Sequence, residues 1–486
     1  MSKKYAALLL SVTMLAAGWP AQAVYATEAG DKITLRVANW EEYIDLGEWD
    51  EEETIDLESG DIIGVDSMVR DFEEWYEQTY GREVEVEYST FGTNEDLYNM
   101  LTLGDVYDLV CPSEYMFMKL MDEGMLVPYS EDFFDTDSEY NYYSKGVSPY
   151  IRGIFENHEI GGEPWSRYAA GYMWGITGIV YNPEEITKEE ASTWKILADP
   201  AHKRKVTIKD NVRDSYFAAV GAIKSDLLKS EEFRNDPDYS RRLEEEMNDV
   251  SPGTIAKVLD FLQEVKDNAY SFETDSGKSD MISGKVLANY QWSGDAVFTM
   301  DQAAEDDFDL CFAVPEEATN IYFDGWVMLK SGIGEDKDRQ HAAQAFVNFI
   351  SRPDSVIRNM YYTGYTSVIA GGDDERIFEY ADWNFAAEED EEDLVSYDLS
   401  YFFGDGDYVI EAEAGQLDRQ MVAQYPSQEQ IARSSIMVFF DNEKNEAINQ
   451  MWINVRCFNI HDVPVWVWIL CLAAAGALIA LKVRRR

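Results

Sequence analysis

Short apolar runs of strand character alternate with amphipathic helical runs from residue 33 onward, and no other feature of the 486-residue chain narrows its fold as much. Residues 33–38 (ITLRVA) alternate as a half-buried strand does and end at Asn39-Trp40-Glu41-Glu42-Tyr43. Residues 65–80 (VDSMVRDFEEWYEQTY) put Met68, Phe72, Trp75 and Tyr76 on one side of a helix that Gly81 stops. Residues 84–88 form the next strand, and 94–103 a helix ended by Gly104. Residues 107–111 are a further strand, after which Pro112-Ser113 opens a helix over 114–123 that ends at Gly124. Such alternation implies an α/β fold with a mainly parallel sheet covered on both faces.

The pattern continues. Residues 172–181 (YMWGITGIVY), 205–208, 286–291, 310–314 and 326–329 are strand-like. Residues 243–265, interrupted at Pro252-Gly253, and 339–350 are helical. No internal repeat is visible. Two acidic stretches interrupt the order: 48–61 (EWDEEETIDLESGD), which lacks periodicity and reads as an exposed insertion, and 388–393 (EEDEED), which reads as a solvated loop.

The two ends have a different character. Lys3 and Lys4 precede an apolar run over 6–17, and Ala21-Gln22-Ala23 or Val24-Tyr25-Ala26 offers a small-x-small cleavage site, so residues 1–26 read as a secretory signal peptide. No cysteine lies near either site, which excludes lipid anchoring at a new N-terminal cysteine. Residues 463–481 are an unbroken apolar run that would span roughly 28 Å as a helix, about one hydrocarbon core. Trp466 and Trp468 stand at its upstream edge, and Lys482, Arg484, Arg485 and Arg486 come after it. By the positive-inside rule, 463–483 is expected to be a single-pass transmembrane helix with its C-terminus in the cytoplasm. The body would then lie at the extracellular face of the cell membrane, or in the periplasm.

Charge and cysteine usage exclude several functions. The chain carries 40 basic and 93 acidic residues, a net charge of −53, so neither nucleic acid nor an anionic lipid surface is an expected partner of the folded body. Cationic solutes are favoured. Cys471 lies inside the terminal apolar run and Cys457 just before it, while Cys111 and Cys311 sit in apolar strand-like runs and are expected to be buried free thiols. With no CxxC and four histidines, the chain offers no zinc site, and no cofactor is expected.

In open α/β sheets, ligands bind outside the carboxyl ends of the strands. The residues immediately after each strand are therefore the candidates: Trp40 and Tyr43; Ser113 and Tyr115; Asp210, Asn211 and Asp214; Trp292 and Asp295; Tyr322 and Asp324. Carboxylates pair with ammonium groups through charge-assisted hydrogen bonds, and aromatic faces cover methylene chains and attract cations. The set therefore suits an alkyl polyamine. A sugar, another amine or a metal complex on the same fold is the alternative. No GxSxG, HExxH, Gly-rich phosphate loop or supported Cys/His pair points to an enzyme. Paired carboxylates could in principle hydrolyse a glycoside, but nothing local marks one as acid and another as base.

These segments resemble the spermidine/putrescine-binding proteins of bacterial ABC importers over roughly residues 33–456, most specifically at 39–43, 107–115, 172–177 and 292–295, with Asp324 and 363–365 (TGY) extending the match. The resemblance implies a two-lobed, type II periplasmic-binding-protein fold that closes on its ligand by hinge motion. It would place residues 33–175 with 324–375 in the first lobe and 176–323 with 376–456 in the second. It further implies that Trp40, Tyr43, Trp292 and Tyr322 line the methylene chain and that Ser113 and Tyr115 hydrogen-bond its first-lobe end. Asp324 would be the central ammonium partner, Asp214 would hold an amine from the second lobe, and Tyr365 would contribute its hydroxyl. Asn211 stands where a spermidine-preferring member has an acid, Tyr322 where such members have Trp, and Asp295 matches the putrescine-preferring branch. The choice of polyamine stays open, with a lean to the diamine. Expected partners are the polyamine and an importer permease, with the chain a monomer. The usual anchor of this family in single-membrane bacteria is a lipidated cysteine, and the terminal helix would replace it.

Overall fold

The computed structural model describes residues 32–49, 53–388, 391 and 393–457. The expected signal peptide (1–26) and membrane helix (463–483) lie outside the described residues, and among those described no helix is long and apolar enough to cross a membrane.

A continuous path of paired strands crosses the molecule in the order Val84–Phe91, Ile33–Trp40, Leu109–Val110, Thr319–Leu329, Ala169–Tyr181, Ala288–Trp292, Val206–Lys209, Ser271–Glu273. Its two flanks are parallel, as the alternation predicts: Ile33–Trp40 runs with Val84–Phe91 and Leu109–Val110, and Val206–Lys209 runs with Ala288–Trp292 and Ser271–Glu273. The centre departs from the expected parallel sheet. Ala169–Tyr181 and Thr319–Leu329 are antiparallel to each other and to their outer neighbours. Each is long enough to serve both flanks, and every residue of both is buried. The reason is topological: a chain that passes from one lobe to the other and later returns must run in opposite directions on the two passages. The result is a two-lobed α/β architecture with these two strands as its shared spine.

The spine carries one irregularity. The register between its strands shifts opposite Asp324: Phe323 pairs with Trp174 and Gly325 with Gly171, so Ala169–Tyr181 carries one extra residue there. Such a bulge interrupts the ladder locally. Asp324 forms an isolated bridge with Ser113.

The helices obey their caps. The Ser67 hydroxyl accepts from the Arg70 amide at the start of Met68–Tyr80, and Gly81 ends that helix in the left-handed region at φ 66°; Met68, Phe72 and Tyr76 face the core. Pro252 opens a helix of its own, Pro252–Asn268, so the interrupted run is two helices, the other being Tyr239–Met247.

The 376–456 segment packs in two directions. Arg376–Phe385 packs on Pro353–Thr363 and Ser400–Phe403 on Pro149–Asn157, whereas Gln420–Gln424 packs on Ser293–Glu305 and Asn442–Arg456 on Pro252–Asn268. Phe402 seats the earlier part: its ring stacks on Trp174 at 5.5 Å and its carbonyl accepts from the Ser148 hydroxyl. The acidic stretch 48–61 is not a free insertion, since Ile55 bridges to Ile62 and both are buried with Leu57. Of the two thiols expected to be buried, Cys111 is, but Cys311 is only half-buried. The 388–393 run is described only in part.

Candidate ligand-binding site

A cavity of about 850 Å³ opens at the carboxyl edge of the sheet, and of the twelve candidate residues all but Asp210 line it; Asp210 instead pairs with Arg456 at 2.7 Å. Trp40 ends the first strand and Tyr43 lies just beyond it; Ser113 and Tyr115 open the helix Glu114–Asp122. Asp214 and Asp295 sit in the first turns of Val212–Ile223 and Ser293–Glu305, where helix N-termini favour a carboxylate, and Trp292 caps the second of these. Tyr322 and Asp324 come from the spine, and Tyr365 from the turn after Pro353–Thr363.

Asp324 is 5% exposed. Tyr43 donates its phenol to Oδ2 at 2.7 Å and Ser113 its hydroxyl to Oδ1 at 2.7 Å. Burial nevertheless pushes the carboxyl up to about 6, because two neutral hydroxyls only partly offset the lost hydration. Ser113 and Tyr43 thus orient the acid. The Tyr115 hydroxyl is likewise engaged within the protein, donating to Glu95 at 3.2 Å, with the Arg213 guanidinium 4.5 Å from its ring centre.

Asp214 forms the opposite wall. Burial raises it to about 6 as well, against the opposing effects of the Trp292 indole N–H, which donates at 3.2 Å, and of Lys209. The Asn211 carboxamide accepts from the Arg213 and Asp214 amides and so caps their helix, which gives this asparagine a structural role. Among the described residues, neither Asp214 nor Asp324 has a lysine or arginine as an ion-pair partner; the nearby lysines go to other carboxylates.

Asp295 differs. Lys209 Nζ lies 3.6 Å from its Oδ2, Lys278 Nζ lies 3.7 Å from Oδ1, and Tyr365 donates its hydroxyl to Oδ1 at 3.1 Å. Burial opposes the charge, but the two ammoniums hold this carboxyl below its usual range. Lys209 is fully buried with Nζ 4.1 Å from the Trp292 ring centre, so it backs the indole from behind.

The aromatic lining is held edge to face. Tyr43 meets Tyr365 at 4.8 Å and 87°, Tyr322 meets Tyr365 at 6.4 Å, and Trp40 leans on Phe91 at 4.9 Å. Sequence reasoning missed Lys278, Lys209 and Trp49 at this site. A lysine inside the apolar run Val206–Lys209 was a readable signal, but Lys278 carries none. Trp49 lies in the acidic stretch, leans on Tyr361 at 4.9 Å with the rings tilted by 42°, and joins the cavity wall.

Residues 67–386 match the family of bacterial extracellular solute-binding proteins; the chain belongs to that family, and it is a solute-binding protein and not an enzyme. The spermidine/putrescine-binding periplasmic protein of Salmonella typhimurium is 24% identical over 343 residues, which cover 70% of this chain and 79% of that protein. The putrescine-binding periplasmic protein PotF of Escherichia coli is 22% identical over 339 residues, covering 68% and 76%. Among solved structures, the spermidine/putrescine ABC transporter substrate-binding protein from Streptococcus pneumoniae aligns with a TM-score of 0.55 at 22% identity, over 87% of this chain and 99% of that one. That likeness carries the two-lobed fold.

Proposed function

We propose that the chain captures a polyamine such as putrescine or spermidine outside the cytoplasm and delivers it to the permease of an ABC importer. One observation carries this reading. Asp214 and Asp324, both buried and both without a protein cation as ion-pair partner among the described residues, face one cavity walled by Trp40, Tyr43, Trp292 and Tyr322. Leaving carboxylates desolvated and unpaired is costly, and an alkyl diammonium would relieve that cost at both ends while the rings cover its methylenes. The names of the similar Salmonella and Escherichia proteins support the same ligand class. Closure of the two lobes about the spine would complete the desolvation.

The ligand roles derive from this reading. Asp324 and Asp214 hold the two ammoniums, Trp292, Trp40 and Tyr322 pack along the chain between them, and Tyr43 and Ser113 keep Asp324 in place. The lobes would divide near 175 and 324, with 376–403 on the first and 420–456 on the second. The signal peptide over 1–26 would export the body, and a helix over 463–483 would hold it beside its permease.

Calorimetric titration of the purified full-length protein with putrescine and spermidine tests the ligand. Saturable binding is expected, and no heat at millimolar amine would overturn the reading. Truncation after residue 456 tests the tether: the shortened chain should leave the membrane fraction, and retention there would reject the anchor.

A further inference from the structure

Three aspartates of the cavity are buried, but they are not equivalent. Among the described residues, Asp214 and Asp324 lack a protein cation as ion-pair partner, whereas Asp295 lies between two lysine ammoniums. Lys209 is fixed beneath Trp292 and donates to the Thr274 carbonyl at 2.9 Å. Lys278 is the one at the cavity wall. Its side chain is 16% exposed, and its Nζ stands 2.6 Å from Asp275, 3.7 Å from Asp295 and 3.9 Å from Glu42. Glu42 comes from the far side of the cavity, just after the first strand, so this ammonium stands across the slot.

We propose that Lys278 is a resident cation that fills the third acidic position of the slot and so selects a dicationic amine over a tricationic one. The inference rests on the polyamine reading above. A ligand ammonium entering a desolvated site needs a carboxylate of its own. Among the described residues two buried aspartates are available, and a dication matches both; the buried Glu114 of the same wall accepts from the Phe323 and Met437 amides and is pushed up to about 8 by burial, so it stays protonated near neutrality. A third ligand ammonium would meet Asp295, Asp275 and Glu42 already shared with Lys278, and would be repelled by the lysine in a medium where charges are poorly screened. Burial alone would lower the ammonium's affinity for its proton, but the surrounding carboxylates, Asp295 foremost, raise it well above the usual lysine range. Lys278 therefore stays charged throughout the physiological range.

The test compares Kd values for putrescine, a dication, spermidine, a trication, and N1-acetylspermidine, a dication of nearly spermidine's length. They are measured on full-length wild type, Lys278→Met and Lys278→Arg. Lys278→Met should raise the affinity for spermidine relative to putrescine by about tenfold or more, while N1-acetylspermidine relative to putrescine stays within about twofold. Lys278→Arg should keep the wild-type ratios. If Lys278→Met unfolds, Lys278→Gln serves the same comparison. An unchanged spermidine ratio overturns the inference. So does an equal gain for all three ligands, which would mark the lysine as a tie between the lobes rather than a charge filter. Failure of wild type to bind any of the three overturns the polyamine reading and this inference with it, and that result is visible before any variant is made.

Discussion

Tyr43 and Asp324 are 281 positions apart in sequence, yet the tyrosine donates its phenol to Asp324 Oδ2 at 2.7 Å. Asp324 faces the point where the register of the spine shifts, and the hydroxyls of Tyr43 and Ser113 fix its orientation. Tyr43→Phe removes one of these donors and leaves the other. Amine affinity should fall by about 1 kcal/mol, with little change in the thermal midpoint of the ligand-free protein. A loss above about 3 kcal/mol would mean that the tyrosine itself touches the ligand's charged group.

Asp324→Asn should have opposite effects on binding and on folding. Binding should weaken by about 2–5 kcal/mol, since an ammonium would be buried without its counter-charge. The ligand-free protein should become more stable. The carboxyl is raised from 3.8 to about 6 by burial, so the stability it contributes is fully present below its unfolded value and is lost as pH rises through about 6. At about pH 7.5 that difference is on the order of 2–3 kcal/mol in favour of the variant. Melting curves of both proteins, recorded from about pH 4.5 to about pH 7.5 so as to bracket that titration, should diverge as pH rises. Parallel curves would show that the acid is solvated.

The same titration controls capture. Asp214 and Asp324 are both raised to about 6, and both must be ionised to pair with a diammonium. Affinity should be flat above neutrality and fall below about pH 6, with log K losing about two units per pH unit once both acids are protonated in the free protein. Calorimetry in buffers of different ionisation enthalpy would count the protons released on binding. A count near zero at about pH 5.5 would contradict the electrostatic account of the site.

Arg358 supports the site from outside it. Its guanidinium reaches Asp45 and Asp71 at 2.5 Å each and the Asp66 carbonyl at 2.7 Å, and Asp45 is fully buried. Asp45 also accepts from the Trp49 indole at 3.1 Å, so the pair anchors the acidic stretch that completes the cavity wall. Arg358→Met strands a buried carboxylate and should cost about 3–5 kcal/mol in denaturant unfolding. Replacing Asp45 with Asn in the Arg358→Met background should recover part of that loss. No recovery would show that the arginine acts through packing alone.

Much of the site could be read from the chain because parallel strands present their carboxyl ends to one edge. Trp40, Ser113, Asp214 and Trp292 each stand at or just past the end of a strand, and residues in such positions are brought together in space however far apart they are in the chain. The helix Val212–Ile223 escaped the same reading. All but its last residue are buried, so no polar face interrupts the apolar one and no helical period appears. The antiparallel centre escaped for a related reason, since a strand buried on every side reads as an apolar run whatever the direction of its neighbours.

The sequence by itself determined the elements, their caps and the identity of the acids and rings brought to the sheet edge, because these depend on periodicity and on local hydrogen bonding. Only the tertiary structure decided which acids are already neutralised. Asp295 is held by Lys209 and Lys278, while Asp214 and Asp324 have no such partner among the described residues. Coulomb attraction and desolvation depend on distance and burial in space, and neither is encoded in the spacing of residues along the chain.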